Sequence, residues 1–67
     1  MRRKQQVEYR LIAIINGDEV FIGKSKNINE LYCLAQNCVY ELKYTTGYSF
    51  INFYIQYGWR IINQFTL

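Results

Sequence analysis

The segment from residue 50 to residue 63 holds the side chains whose chemistry is best suited to recognition. Aromatic rings are interleaved there with amides and a guanidinium group. Trp59 and Tyr54 are the best candidates for anchors, because large rigid rings with one polar group are enriched at binding hot spots. The amides of Asn52 and Asn63 would set the orientation of a partner through directional hydrogen bonds. The predicted partner-binding residues are Tyr54, Trp59, Asn52, Asn63, Phe50 and Arg60.

The sequence offers no comparable constellation for catalysis. It contains no histidine, so neither a Ser–His nor a Cys–His nucleophile can form. The acidic residues are scattered, and the one adjacent pair, Asp18 and Glu19, falls in a predicted turn, where acids are usually solvated. No glycine-rich phosphate loop is present. We predict that the protein is not an enzyme and that it uses no cofactor and no metal.

The two cysteines, Cys33 and Cys38, lie five positions apart on a predicted helix, so their side chains point about 140° away from each other. This geometry disfavours a disulfide within the chain, and the spacing differs from that of a CxxC motif. We predict that both are small buried apolar residues in a reducing compartment.

The size and charge of the chain predict one domain with a basic arm. Sixty-seven residues can build one small domain, whose own core is marginal. Arg2, Arg3 and Lys4 supply the net charge of +3, because the five basic residues after them are balanced by five acidic ones. We predict a flexible arm over residues 1–6 and a domain over residues 7–67. The absence of a bilayer-length apolar run or signal peptide predicts a cytoplasmic location, in the host cell if the chain is phage-encoded.

The first third of the chain predicts a β-hairpin. Residues 7–15 and 19–23 are rich in strand-forming residues and flank Asn16-Gly17, the pair that a type I′ turn favours. This turn would pair Leu11 with Ile22 and would leave both faces of the hairpin apolar. One face would hold Leu11, Ala13, Val20 and Ile22, and the other would hold Ile12, Ile14 and Phe21.

A helix is predicted from Ile28 to about Lys43. Asn27 and Glu30 fit a capping box, with Asn27 as the N-cap. Apolar residues recur at spacings of three or four, as on one face of a helix. This apolar stripe consists of Ile28, Leu31, Ala35, Cys38 and Leu42.

Residues 50–57 and 59–65 predict a second hairpin, with a second helix over residues 50–57 as the alternative. A turn at Tyr57-Gly58 would place Asn52 directly opposite Asn63. These amides would share an aromatic face, on which Trp59 either binds a partner or belongs to the core. The aromatic face would hold Phe50, Tyr54, Trp59, Ile61 and Phe65, and the face under the helix would hold Ile51, Phe53, Ile55 and Ile62.

The predicted fold is thus α+β, in the order β-β-α-β-β. It is a four-stranded antiparallel sheet with one helix packed on one face. The other face of the sheet is also apolar, and short chains without disulfides often gain stability by oligomerisation. We therefore expect a homodimer, or a partner that covers this face.

The segment from residue 28 to residue 43 resembles the helix-turn-helix modules of small phage-type proteins. Its apolar residues have that family's core spacing, with Cys33 where a turn glycine is usual. The resemblance implies a DNA-binding regulator, whereas one continuous amphipathic helix is the alternative explanation of the same spacing. The core positions are Ile28, Leu31, Leu34, Val39 and Leu42. The nucleic-acid-binding residues would be Arg2, Arg3, Lys4, Asn37 and Lys43.

The favoured function is inhibition by binding. The lack of proline and the richness in Asn, Ile, Lys and Tyr are typical of AT-rich phage or mobile-element genes, where small inhibitors of host enzymes are common. We predict a non-enzymatic protein that binds a larger host protein or complex, in the manner of anti-defence and anti-CRISPR proteins. The alternatives are the DNA-binding regulator and a sponge for a small nucleotide, which would stack on the Tyr/Trp/Asn face.

Overall fold

A computed structural model describes residues 8–67 and confirms the predicted α+β fold. The four strands form one antiparallel sheet in the order β2-β1-β3-β4. Within residues 8–67, no helix combines the length and the apolar character needed to cross a membrane. The predicted arm over residues 1–6 lies outside the described residues. The elements are β1 (Tyr9–Ile15), β2 (Asp18–Ser25), α1 (Ile28–Thr46), β3 (Asn52–Tyr57) and β4 (Arg60–Thr66).

The first hairpin has the predicted turn and, next to it, the predicted register. Asn16 and Gly17 have φ angles of 56° and 85°, as a type I′ turn requires. Beyond the pairing of Ile12 with Phe21, a β-bulge inserts Ile22 into β2, so Leu11 pairs with Gly23 instead of Ile22. The prediction that Leu11 pairs with Ile22 is therefore wrong.

The bulge brings Gly23 directly beneath the side chain of Leu34 on α1. A Cβ atom on Gly23 would lie 2.5 Å from Cδ2 of Leu34, which is shorter than any normal carbon contact. Only a residue without a side chain fits beneath Leu34 in the present arrangement. The physical reason for the changed register is thus the packing of α1, which a pairing rule based on the turn alone does not include.

The N-terminus of α1 is capped as predicted, but the capping box is completed by an extra residue. The side chain of Asn27 accepts a hydrogen bond from the N–H of Asn29 (3.0 Å). Glu30 does not reach back to the Asn27 N–H directly. Instead, that N–H donates to Oγ of Ser25 (3.0 Å), whose hydroxyl donates to Glu30 Oε1 (2.5 Å). Ser25, the last residue of β2, therefore ties the helix start to the sheet.

One continuous helix occupies the segment that resembles a helix-turn-helix module. α1 has 19 residues without a break, so that interpretation is wrong for the structure and the continuous amphipathic helix is confirmed. It ends three residues later than predicted, because Gly47 adopts the left-handed conformation (φ 78°) and its N–H donates to the carbonyl of Lys43 (2.8 Å). A helix-turn-helix module would instead need its turn near Cys33.

The cysteines lie on different sides of α1, as their spacing predicts, and neither forms a disulfide. Cys38 is partly buried against the core, and its thiol donates to the carbonyl of Ala35 (3.6 Å). Burial raises the pKa of the Cys38 thiol. Cys33, by contrast, is exposed, so the prediction that it is buried is wrong. Its position lies off the apolar stripe that faces the sheet.

The core lies between α1 and one face of the sheet. The buried helix residues are Leu31, Ala35 and Val39, which lie four positions apart. Val39 was not part of the predicted stripe. The other predicted members, Ile28, Cys38 and Leu42, are only partly buried at the margins of the core. The strand residues that meet them alternate along β1 and β3, as a half-covered sheet requires. The buried core consists of Leu11, Ala13, Leu31, Ala35, Val39, Ile51, Phe53 and Ile55.

Candidate functional site

The second hairpin turns one residue later than predicted. Tyr57 pairs with Arg60, so the loop residues are Gly58 and Trp59, and Gly58 has a φ of 66°. A positive φ at the first loop position only is the pattern of a type II′ turn, which places glycine there. The predicted turn would have required a positive φ at Tyr57, which a bulky side chain rarely adopts. The glycine therefore decides the register, and the prediction that Tyr57 and Gly58 are the two loop residues is wrong.

In the rest of β4, a second β-bulge reverses the side of the sheet on which each residue lies, relative to the prediction. Gln56 pairs with Ile61 but Ile55 pairs with Asn63, so Ile62 is the extra residue and remains 45% exposed. Asn63 consequently lies on the helix side of the sheet, where its amide donates a hydrogen bond to the hydroxyl of Tyr32. The prediction that Asn63 belongs to the aromatic face is therefore wrong. Ile62, which was predicted to pack under the helix, lies in the bulge and is not part of the core.

Phe65 and Asn52 also differ from the predicted arrangement. The ring of Phe65 packs against Tyr32 and Phe53, at centroid distances of 5.3 Å and 5.4 Å, so it belongs to the helix side. Asn52 pairs with Thr66, whose hydroxyl donates to Asn52 Oδ1 (2.6 Å). The predicted pair of opposed amides therefore does not form.

The predicted partner-binding residues are consequently spread over several places. Trp59 and Arg60 are exposed at the tip of the second hairpin, beside Tyr57, and Trp59 is 90% exposed, so the alternative that it is core is wrong. Phe50 precedes β3, and its ring lies 5.9 Å from the ammonium group of Lys43. Tyr54 is buried in the middle of the sheet. A single Tyr/Trp/Asn face for stacking a nucleotide does not form in this arrangement.

The face of the sheet opposite α1, which we call the open face, has three rows of four residues. Strand pairing defines each row, because directly paired residues point to the same side of the sheet. The central row is Phe21, Ile12, Tyr54 and Gln64; the basic row is Lys24, Arg10, Gln56 and Ile61; the acidic row is Glu19, Ile14, Asn52 and Thr66.

The apolar part of the open face is only partly covered by its own side chains. Ile12 and Tyr54 are buried in its centre, whereas Phe21, Ile61 and Ile14 are 54%, 52% and 38% exposed. A shallow cleft of about 540 Å³ crosses the acidic end of the face. The described residues thus include a sheet surface with an apolar centre and polar margins, which is the layout of a protein interface.

The charges of the open face are separated along the strands. The guanidinium of Arg10 lies 5.7 Å from the centroid of the Phe21 ring, and Lys24 Nζ lies 3.5 Å from Glu8 Oε1. Glu19 lies at the other end of β2. Burial of Tyr54, together with the hydrogen bond and the charge of Glu19, raises the pKa of the Tyr54 hydroxyl. Tyr54 and Glu19 both line the cleft at the acidic end of the face.

The predicted nucleic-acid-binding residues do not converge on one described surface. Arg2, Arg3 and Lys4 lie outside the described residues. Asn37 is exposed on α1, and Lys43 is partly covered by its contact with Phe50. Six residues apart on one helix, Asn37 and Lys43 point about 120° away from each other.

The sequence predicted that the face opposite the helix would be covered by a second copy or a partner, but it named only part of the open face. Ile12, Ile14 and Phe21 were placed together by the alternation of the first hairpin, and the structure confirms this. Arg10 and Glu19 were missed, although the same alternation puts Arg10 on the face of Ile12. Ile61 keeps its predicted side of the sheet. Within residues 8–67, no three His, Cys, Asp or Glu side chains cluster to hold a metal ion.

Comparison with protein-family models, with curated proteins and with solved structures finds no match to this chain.

Proposed function

We propose that the chain is a small non-enzymatic protein that binds a larger host protein or complex and inhibits it by occupying its surface. In this proposal it belongs to the anti-defence inhibitors of phages and mobile elements and acts in the cytoplasm of the host cell. The observation that carries the proposal is the tip of the second hairpin, where Trp59 is 90% exposed.

The hairpin tip has the residue types and the support of a binding anchor. Trp59 is flanked by Tyr57, which is 40% exposed, and by the exposed Arg60. Trp, Tyr and Arg are the three residue types most enriched at interface hot spots. The ring of Tyr57 packs against Tyr9 on β1 with centroids 4.7 Å apart, so the tip is held to the sheet. A rigid loop loses little conformational entropy when it inserts into a partner.

The test compares the unmodified chain with two variants, each of which lacks one aromatic ring, and the two rings are almost equally exposed. Trp59→Ala removes the anchor, and Tyr44→Ala removes a ring that is 89% exposed on α1. A protein captured from a bacterial lysate by the unmodified chain is identified, and its affinity for all three chains is measured. We expect Trp59→Ala to lose about 2 kcal/mol or more of binding free energy, roughly 30-fold in Kd.

The melting temperature separates recognition from stability in this test. Both rings are almost fully exposed, so both variants should melt like the unmodified chain. Normal binding by Trp59→Ala, or equal losses in both variants, would contradict the proposal. Binding to DNA that weakens steeply with salt would favour the DNA-binding alternative, because such dependence arises from phosphate contacts.

A further inference from the structure

We infer that the open face is covered by a second copy of the same chain. In this dimer the two sheets pack face to face, with β1 of one copy over β1 of the other and running in the opposite direction. The inference is independent of the proposed function, because the hairpin tip with Trp59 lies beyond the three rows of the open face.

The charges of the open face are arranged so that they complement a second copy turned end for end. Arg10 and Lys24 stand in the basic row, where Glu8 offsets one of the two charges. Glu19 stands in the acidic row, five residues before Lys24 on the same strand. One end is therefore net positive and the other net negative. Neither end is fully compensated by the charges beside it, and the second copy supplies the opposite charge.

A two-fold axis along the central row brings these ends together. This rotation reverses the direction of the strands and keeps their order, so the basic row of one copy lies over the acidic row of the other. Lys24 and Glu19 are both on β2, so each Lys24 faces Glu19 of the second copy. Phe21, Ile12 and Tyr54 meet their own equivalents in the apolar centre.

The charges also argue against the other face-to-face arrangement. A two-fold axis parallel to the strands would reverse the strand order, so β2 of one copy would lie over β4 of the other. Lys24 and Arg10 would then face the uncharged Ile61 and Gln56. Glu19 would face the uncharged Thr66, and the charges would be covered without a partner. Only the end-for-end arrangement pairs opposite charges at both ends of the interface.

The area of the open face fits a reversible dimer. Four strands about 4.8 Å apart and six residues of about 3.4 Å rise give a face of roughly 20 Å by 20 Å. Two such faces bury on the order of 1,000 Å² in total, the lower limit for a specific interface. We therefore expect dissociation in the micromolar range rather than an obligate dimer.

The experiment uses charge reversal on the full chain and measures mass by sedimentation across micromolar concentrations. The unmodified chain should reach twice its mass of 8.1 kDa. Glu19→Lys alone, and Arg10→Glu with Lys24→Glu, should each weaken self-association on the order of 100-fold, because like charges then meet. Mixed in equal amounts, the two variants should form a heterodimer as tightly as the unmodified chain, because opposite charges meet again.

Two further variants test the inference even if a charge reversal unfolds the domain. Ile61→Glu changes an exposed residue of the open face and should also give a monomer. Tyr44→Ala, on the far side of α1, should leave the dimer intact. A monomeric unmodified chain throughout the micromolar range, or a failure of the mixed variants to associate, would overturn the inference, as would dimers in both charge-reversed variants.

Discussion

The two faces of the sheet both carry apolar side chains but have opposite surroundings. Along β1, Leu11 and Ala13 point towards α1 and are completely buried, whereas Ile12 and Ile14 alternate with them on the open face. On the helix side, apolar side chains from two elements cover each other. On the open face, Tyr54 and its neighbours cover only the centre, and Ile14 remains 38% exposed.

The difference between the faces shows how little cover one short helix provides. α1 contacts β1 and β2 most, and it leaves the whole opposite side of the sheet to the side chains of the sheet itself. Within residues 8–67 no element lies over the open face, and the proposed second copy would cover it. The helix side is expected to determine folding, and the open face is expected to determine association.

The largest expected effect comes from removing one aromatic ring from each face. Phe53→Ala removes a ring that is 1% exposed and stacked on Phe65, and should cost about 3–5 kcal/mol of unfolding free energy. Phe21→Ala removes a ring that is 54% exposed on the open face, and should cost about 1 kcal/mol or less in the monomer. Urea denaturation at low protein concentration measures both. Similar losses would remove the distinction between the faces.

A smaller effect is expected where Leu34 of α1 packs against Gly23. Gly23→Ala would press a methyl group against Leu34, and the side chain must rotate or the helix must move. We expect a loss of about 1–2 kcal/mol. The double variant Gly23→Ala, Leu34→Ala should lose less than the sum of the single variants, because the clash is then absent. Strict additivity in urea denaturation would show that this contact does not determine the register of β2.

The smallest expected effect concerns the open face and appears at high pH. The folded state raises the pKa of Tyr54 above its ordinary value of 10.0, so the stability linked to this hydroxyl is complete below that pH. It is lost as the pH rises through the higher pKa of the folded protein. Tyr54→Phe should cost about 1 kcal/mol at neutral pH and should lessen the alkaline loss of stability.

The control for this pH profile is Tyr44→Phe, at a position that is 89% exposed. Each variant lacks one tyrosine hydroxyl, so a difference between their unfolding profiles is specific to the position of Tyr54. Identical profiles for both variants would show that the burial of the Tyr54 hydroxyl beside Glu19 does not affect stability.

The two hairpins show what the sequence could and could not predict. Asn16-Gly17 specifies its turn locally, so the pairing of Ile12 with Phe21 followed from the sequence alone. Tyr57-Gly58-Trp59 admits more than one turn, and the choice depends on which residue must adopt a positive φ. The fold class, the helix and the buried face of β3 depended on periodicity, which the sequence displays directly. The sequence left open which face of β1 meets the helix, because both faces are apolar.

The candidate site was harder to predict than the fold because it depends on the bulges. One extra residue at Ile62 moved Asn63 and Phe65 to the helix side, and thereby divided the expected aromatic surface. Whether a strand contains a bulge is decided by packing against the rest of the molecule, such as the bond between Asn63 and Tyr32. Strand periodicity contains no signal for such a long-range contact.

The positions of the bulges have a consequence for how the folded chain behaves at high concentration. Both lie in the edge strands, at Ile22 in β2 and at Ile62 in β4. Edge strands with regular unpaired N–H and C=O groups recruit other chains and grow into fibrils, and residues 61–65 are uncharged and rich in strand formers. A bulge twists the edge and interrupts its regular hydrogen-bonding groups. The irregularities that misled the register prediction therefore protect the protein against aggregation through its edges.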